Sequence, residues 1–98
     1  IRNEVPHMLS QQEYYILTFE TNADVMYAEK RIQEHFAITI MPVPGEFHSG
    51  CGLAIRFLDP DETSILTFCR TLPLHGTLYK MQTRRENGRR PFEKLLSF

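Results

Sequence analysis

Apolar and polar positions change rhythm several times along the chain, and each rhythm predicts one element. Residues 14–20, Tyr-Tyr-Ile-Leu-Thr-Phe-Glu, are rich in aromatic and β-branched side chains and predict a central strand that Thr21 ends. Thr21 with Asp24 approximates a capping box, and Val25, Ala28, Ile32 and Phe36 recur at helical spacing. They predict an amphipathic helix over residues 23–35, with Glu29, Lys30, Gln33 and Glu34 facing water. Residues 38–41 predict a short second strand, ended by Pro42 and Pro44, neither of which donates to a sheet ladder. In residues 52–58, Leu53, Ile55 and Phe57 alternate with Ala54 and Arg56, which predicts a third strand with one face more apolar than the other.

Asp59-Pro60-Asp61-Glu62 has the form of a helix start: Asp59 as cap, Pro60 at the first helical position, and an acidic pair at the positive end of the dipole. A second helix follows to about Arg70, with Ile65, Phe68 or Cys69, and Leu72 as its buried stripe and Pro73 beyond it. Residues 76–83 predict a fourth strand. Arg84 to Arg90 reads as a basic linker, and Phe92, Leu95, Leu96 and Phe98 in the tail have spacings compatible with one or two helical turns. The order strand, helix, strand, strand, helix, strand predicts an α+β chain with a ferredoxin-like βαββαβ fold. Its four-stranded antiparallel sheet carries two helices on one face and is followed by a C-terminal tail. Residues 11–83 form the predicted domain and 84–98 the linker and amphipathic tail. Ile16, Ile40, Tyr79 and Met81 are then candidates for the other face, which needs cover from the tail or from a second copy of the chain. A homodimer is the expectation.

Ninety-eight residues suffice for one core and leave no room for a second domain. A net charge of -1 argues against a general polyanion binder, although Arg84, Arg85, Arg89 and Arg90 cluster near the end of the chain. Two cysteines, no signal-peptide pattern and no apolar run of membrane-spanning length point to free thiols in a reducing cytosol, and away from the membrane. The chain opens at Ile1, Met8 is the expected native start, and residues 1–10 predict no element of the fold.

Chemistry concentrates in Pro42-Val43-Pro44-Gly45-Glu46-Phe47-His48-Ser49-Gly50-Cys51-Gly52-Leu53. Gly50 and Gly52 leave Cys51 without a flanking Cβ and permit turns that aim N–H groups at its sulfur, an environment that favours thiolate. The same pattern also suits a small filler at the start of a strand. His48 is able to stabilise the thiolate or supply a proton, or is a solvated loop side chain. Arg56 is able to hold an anionic group, or lies on the strand's wet face. Cys69, in the helical stripe, is expected to be buried.

The aromatic first strand, Ala28-Glu29-Lys30, the Pro42 and Pro44 pair, and above all Ser49-Gly50-Cys51-Gly52-Leu53-Ala54-Ile55-Arg56-Phe57 resemble a small bacterial domain described as selenium- or sulfur-carrier-like. The resemblance spans roughly residues 14–82. Members of that family occur alone or joined to sulfur-transfer proteins of the TusA type. It implies a carrier that holds sulfur or selenium on one cysteine as a persulfide or selenopersulfide between donor and acceptor proteins; Cys51 fits that role, with His48, Ser49, Gly50, Gly52 and Arg56 as the supporting residues. Such a protein is a carrier more than an enzyme.

Other chemistries fit less well. His35, His75 and Cys69 fall on separate elements, so no metal site is expected, and no Ser-His-Asp set, phosphate-cradling glycine loop or paired carboxylate motif calls for a cofactor or a hydrolytic reaction. Gly52-Leu-Ala-Ile-Arg-Phe does not match the third-strand motif of RNA-binding domains on this topology. Nucleic acid is therefore not the expected partner, though Tyr14 and Tyr79 are candidates for base stacking. The alternative from another class is a regulatory or protein-interaction module that uses the open sheet face and the tail.

Overall fold

The strand written by the aromatic run lies in the middle of the sheet. In β1 (Glu13–Phe19) every residue from Tyr14 onward is buried, which requires cover on both faces. The computed structural model describes residues 12–47, 52–58 and 61–98. After β1 come α1 (Asn22–Ile32), β2 (Ile38–Pro42), β3 (Leu53–Phe57), α2 (Glu62–Cys69), β4 (Gly76–Gln82) and β5 (Phe92–Ser97). All strand pairings are antiparallel, and the order across the sheet is β2-β3-β1-β4-β5. The sheet thus has five strands where four were expected.

Local chemistry explains where the helices begin. Thr21 caps α1 by accepting the Asp24 N–H at 3.1 Å. The α2 cap is Asp61, not Asp59: its carboxylate accepts the Ser64 N–H at 3.3 Å and the Ser64 hydroxyl at 2.7 Å. Those bonds satisfy one of the orphan donors of the first turn and hold the Asp61 pKa below its usual value. Asp59 and Pro60 lie outside the described residues. Glu62, in the same first turn, accepts the Tyr15 hydroxyl at 3.0 Å and lies 3.6 Å from Lys80 Nζ, which ties the start of α2 to β1 and β4.

Both helices cover one face. Val25, Ala28 and Ile32 of α1 and Ile65 and Cys69 of α2 pack on Leu17, Ile55 and Leu78 of the sheet. Ile40, expected on the opposite face, packs here too, because its cross-strand partner is Ile55 and paired residues share a face. Ile16, Tyr79 and Met81 do lie on the opposite face, with Tyr14, Ala54 and Phe47.

The C-terminal stretch departs most from expectation. The basic residues 84–90 form a tight turn in which Glu86 and Arg89 exchange backbone hydrogen bonds of 2.7 and 3.1 Å, with Asn87 at φ 55° and Gly88 at φ 82°. Positive φ at both central residues marks the hairpin turn that Asn-Gly favours. The tail returns as β5, pairing Met81 with Phe92 and Thr77 with Ser97, rather than forming helical turns.

Candidate functional site

The link between β2 and β3 is a loop whose neck is closed by the bond from Val43 N–H to Gly52 carbonyl, 3.0 Å. β2 is an edge strand, so Pro42 ends it without leaving a broken ladder. Beyond the neck the chain does not stay at the end of the sheet. Pro44 is buried, the Phe47 N–H bonds the Pro44 carbonyl at 3.0 Å, and Phe47 comes down on the sheet face that carries no helix. Its ring stacks on Tyr79 with centroids 4.2 Å apart and meets Phe92 edge-on at 4.7 Å. Burying that ring contributes about 2 kcal/mol toward holding the loop down.

Glu46 adds a polar anchor beside the aromatic one. Its Oε1 accepts from Arg90 Nη2, and its Oε2 accepts from Arg90 Nε and from the Arg90 backbone N–H, all at 3.0 Å. The side chain is only 8% exposed, so the contact is a two-pronged, largely desolvated pair rather than a surface ion pair. Arg90's side-chain and backbone donors pull the Glu46 pKa down to about 2, against the opposing push of burial. Arg90 Nη1 also donates to the Tyr14 hydroxyl at 3.0 Å, and that hydroxyl lies 3.4 Å from Met81 Sδ. The turn after β4 therefore fastens the loop after β2 across the width of the sheet.

Arg56 belongs to the same face. Its guanidinium lies over the Tyr14 ring at 4.2 Å, and its Nε is buried with no hydrogen-bond partner among the described residues. Arg56 is thus half-buried, on a sheet face that Phe47 partly covers, where the sequence pattern suggested a wet one. The same cover leaves neither Tyr14, which is buried, nor Tyr79, beneath Phe47, as an open platform for base stacking.

Of the residues singled out in the sequence, Gly52 is exposed at the start of β3, and a Cβ there would meet nothing within 4 Å. His48, Ser49, Gly50 and Cys51 lie outside the described residues. Cys69 is fully buried, and burial pushes its thiol up to about 12, which leaves it protonated and inert at neutral pH. His35 lies on Phe68 with ring centroids 5.1 Å apart, while His75 is 3.4 Å from the Phe98 carbonyl. The two stand on separate elements, and no cluster of potential metal ligands occurs among the described residues. No helix among them is long and apolar enough to cross a membrane.

Sequence reading missed Glu46, Phe47 and Arg90 as the residues that seat the loop. Nothing local marks Glu46 and Arg90 as partners, separated as they are by 44 positions. Asn87-Gly88 was the available signal for the turn that brings Arg90 back.

Fold and site together define a small α+β protein in which an antiparallel sheet carries helices on one face and, on the other, a pinned loop leading into a Gly-Cys-Gly segment. The chain belongs to the family described as "Putative Se/S carrier protein-like", whose model matches residues 14–76. The match includes the whole loop and Cys51, stops at the first residue of β4, and leaves out Arg90 and β5. No curated protein and no solved structure matches the chain.

Proposed function

We propose that this protein carries sulfur or selenium on Cys51. The Cys51 thiolate attacks the terminal chalcogen of a donor persulfide or selenopersulfide; the donor's bond to that atom breaks, the donor leaves as its thiolate, and a new bond joins the chalcogen to Cys51. The reverse step on an acceptor thiolate discharges it. No net oxidation occurs, so the carrier needs no cofactor, and it acts stoichiometrically with donor and acceptor proteins. The observation that carries the reading is family membership with Cys51 inside the matched segment. Three features support it: the inertness of Cys69, the open space beside Gly52 among the described residues, and flanks fixed at the Val43–Gly52 neck and at Phe47, so that those flanking residues lose little further entropy when a partner is engaged.

His48 serves in this reading as proton donor or thiolate partner, Ser49 and Gly50 shape the approach to the sulfur, and Arg56, whose buried Nε has no hydrogen-bond partner among the described residues, holds anionic charge. The βαββαβ part of the sheet is read as ferredoxin-like, extended by β5, and the working compartment as a reducing cytosol. A homodimer belongs to the proposal, with β5 as its edge.

Intact-mass measurement tests the carrier. With a cysteine desulfurase and either cysteine or selenocysteine, which load the desulfurase with a persulfide or a selenopersulfide, the wild type and Cys69→Ser are expected to gain a chalcogen atom and Cys51→Ser to gain none. No gain in the wild type, or equal gain in Cys51→Ser, ends the proposal. The competing reading, a regulatory or interaction module, has a smaller surface than the sequence suggested, because Phe47 lies on the second face and the tail is a strand. Partner capture that survives Cys51→Ser and is lost on removing residues 91–98 would favour it.

A further inference from the structure

Where the loop meets the β4–β5 turn, Gly45, Glu46, Arg85, Gly88 and Arg89 line a shallow pocket of about 350 Å³ that is open to solvent. Its charge balance is unusual for a chain whose formal net charge is -1. Glu46 forms one wall, but both its oxygens already accept from Arg90, so its charge is answered from within the fold. Arg84 is paired with Glu86 at 2.9 Å. Two guanidinium groups remain. Arg85 is oriented by donating Nη1 to the Gly88 carbonyl at 3.0 Å, and its nearest anion is the engaged Glu46 at 3.9 Å. The Arg89 guanidinium has no hydrogen-bond or ion-pair partner among the described residues.

We propose that this pocket binds a small dianion of the phosphate class, held between Arg85 and Arg89. A tetrahedral dianion accepts from two guanidinium groups at once, each through the paired N–H geometry that suits phosphate, whereas a single carboxylate engages one. The pocket is too local, and the chain too nearly neutral, for a polyanion or an anionic membrane surface, both of which require a broad basic face. The turn supplies the geometry: positive φ at Asn87 and Gly88 reverses the chain within two residues, bringing Arg85 and Arg89 to one opening. Glu46 is shared between the pocket wall and the anchor of the loop, so a bound dianion sits against the residues that hold that loop. The site goes beyond the carrier reading and does not depend on Cys51.

Inorganic phosphate is the probe, titrated into the full chain at neutral pH and followed by backbone amide shifts, with chloride at matched ionic strength as control. Saturable shifts centred on Gly45, Arg85, Gly88 and Arg89 are expected with phosphate and not with chloride. Arg85→Ala combined with Arg89→Ala should weaken binding at least about tenfold, and the double lysine variant should fall between. Arg85 is 59% exposed and Arg89 is exposed, so the variants should keep a dispersed native spectrum, which the same experiment reads. Cys51→Ser should bind phosphate as the wild type does, which separates this proposal from the carrier. Non-saturating shifts, equal shifts with chloride, or undiminished binding by the double alanine variant would overturn it.

Discussion

Cys51 and Cys69 are the same residue type in the same chain, and the carrier proposal gives them different roles. Cys69 lies on the buried stripe of α2, where the charged form of its sulfur has lost its water. Cys51 stands between glycines in the matched loop. Glu46 shows the opposite shift, since three donors from Arg90 favour its charged form. Its folded pKa of about 2 lies below the ordinary 4.5, so its stabilisation is complete above pH 4.5 and is lost as pH falls from there toward 2. Urea unfolding of the wild type and Glu46→Gln from about pH 6 down through that window should show a deficit of about 2 kcal/mol in the variant at about pH 6, shrinking as the acid limit is approached. A deficit that stayed constant with pH would mean that the Glu46 charge does not anchor the loop.

At the scale of elements, the β4–β5 hairpin carries most of the difference between expectation and structure. Phe92, Leu95, Leu96 and Phe98 suit a helical stripe by spacing, yet they form and flank a strand. The register of β4 and β5 shifts between Leu78 and Tyr79, and this irregularity lets the consecutive Leu95 and Leu96 both pack against the helix-side core, which strict alternation forbids. Phe98 completes the end of that layer, edge-on to Phe19 at 6.3 Å. The hairpin depends on backbone that only its turn residues adopt easily. Gly88→Ala, at φ 82°, should lower stability by about 1 kcal/mol, read from the urea midpoint, although the added methyl meets no atom within 4 Å. An unchanged midpoint would show that the turn is not under that constraint.

For the whole molecule, the question posed by a sheet with helices on one face is what covers the other. Phe47 and its neighbours supply cover from within the chain, so the sheet face no longer demands a second copy. Among the described residues β5, like β2, is an edge strand, and its Phe92 is 42% exposed. The proposed homodimer pairs the β5 edges, and sedimentation should then give a mass that rises with concentration in the intact chain and stays monomeric once residues 91–98 are removed. A monomer mass at every concentration for the intact chain would exclude it.

Periodicity determined β1, both helices, β2, β3 and β4, because each is written in a continuous stretch of apolar spacing, and capping chemistry placed the start of α1 at Thr21 but set the α2 cap two residues early. Cys69 as a core residue follows from the same stripe. The chain's own order also carried the antiparallel α+β arrangement of its first four strands, since short right-handed connections leave few alternatives. Tertiary structure alone decided the fifth strand, the side of the sheet on which Ile40 lies, the partial cover over Arg56, and the clasp between Glu46 and Arg90. Each depends on which distant residue stands opposite in the folded sheet, and strand register and long-range ion pairs leave no local spacing in the sequence to read. The Gly-Cys-Gly segment was visible from the first; the Glu46 and Arg90 anchor that holds the loop leading into it was not.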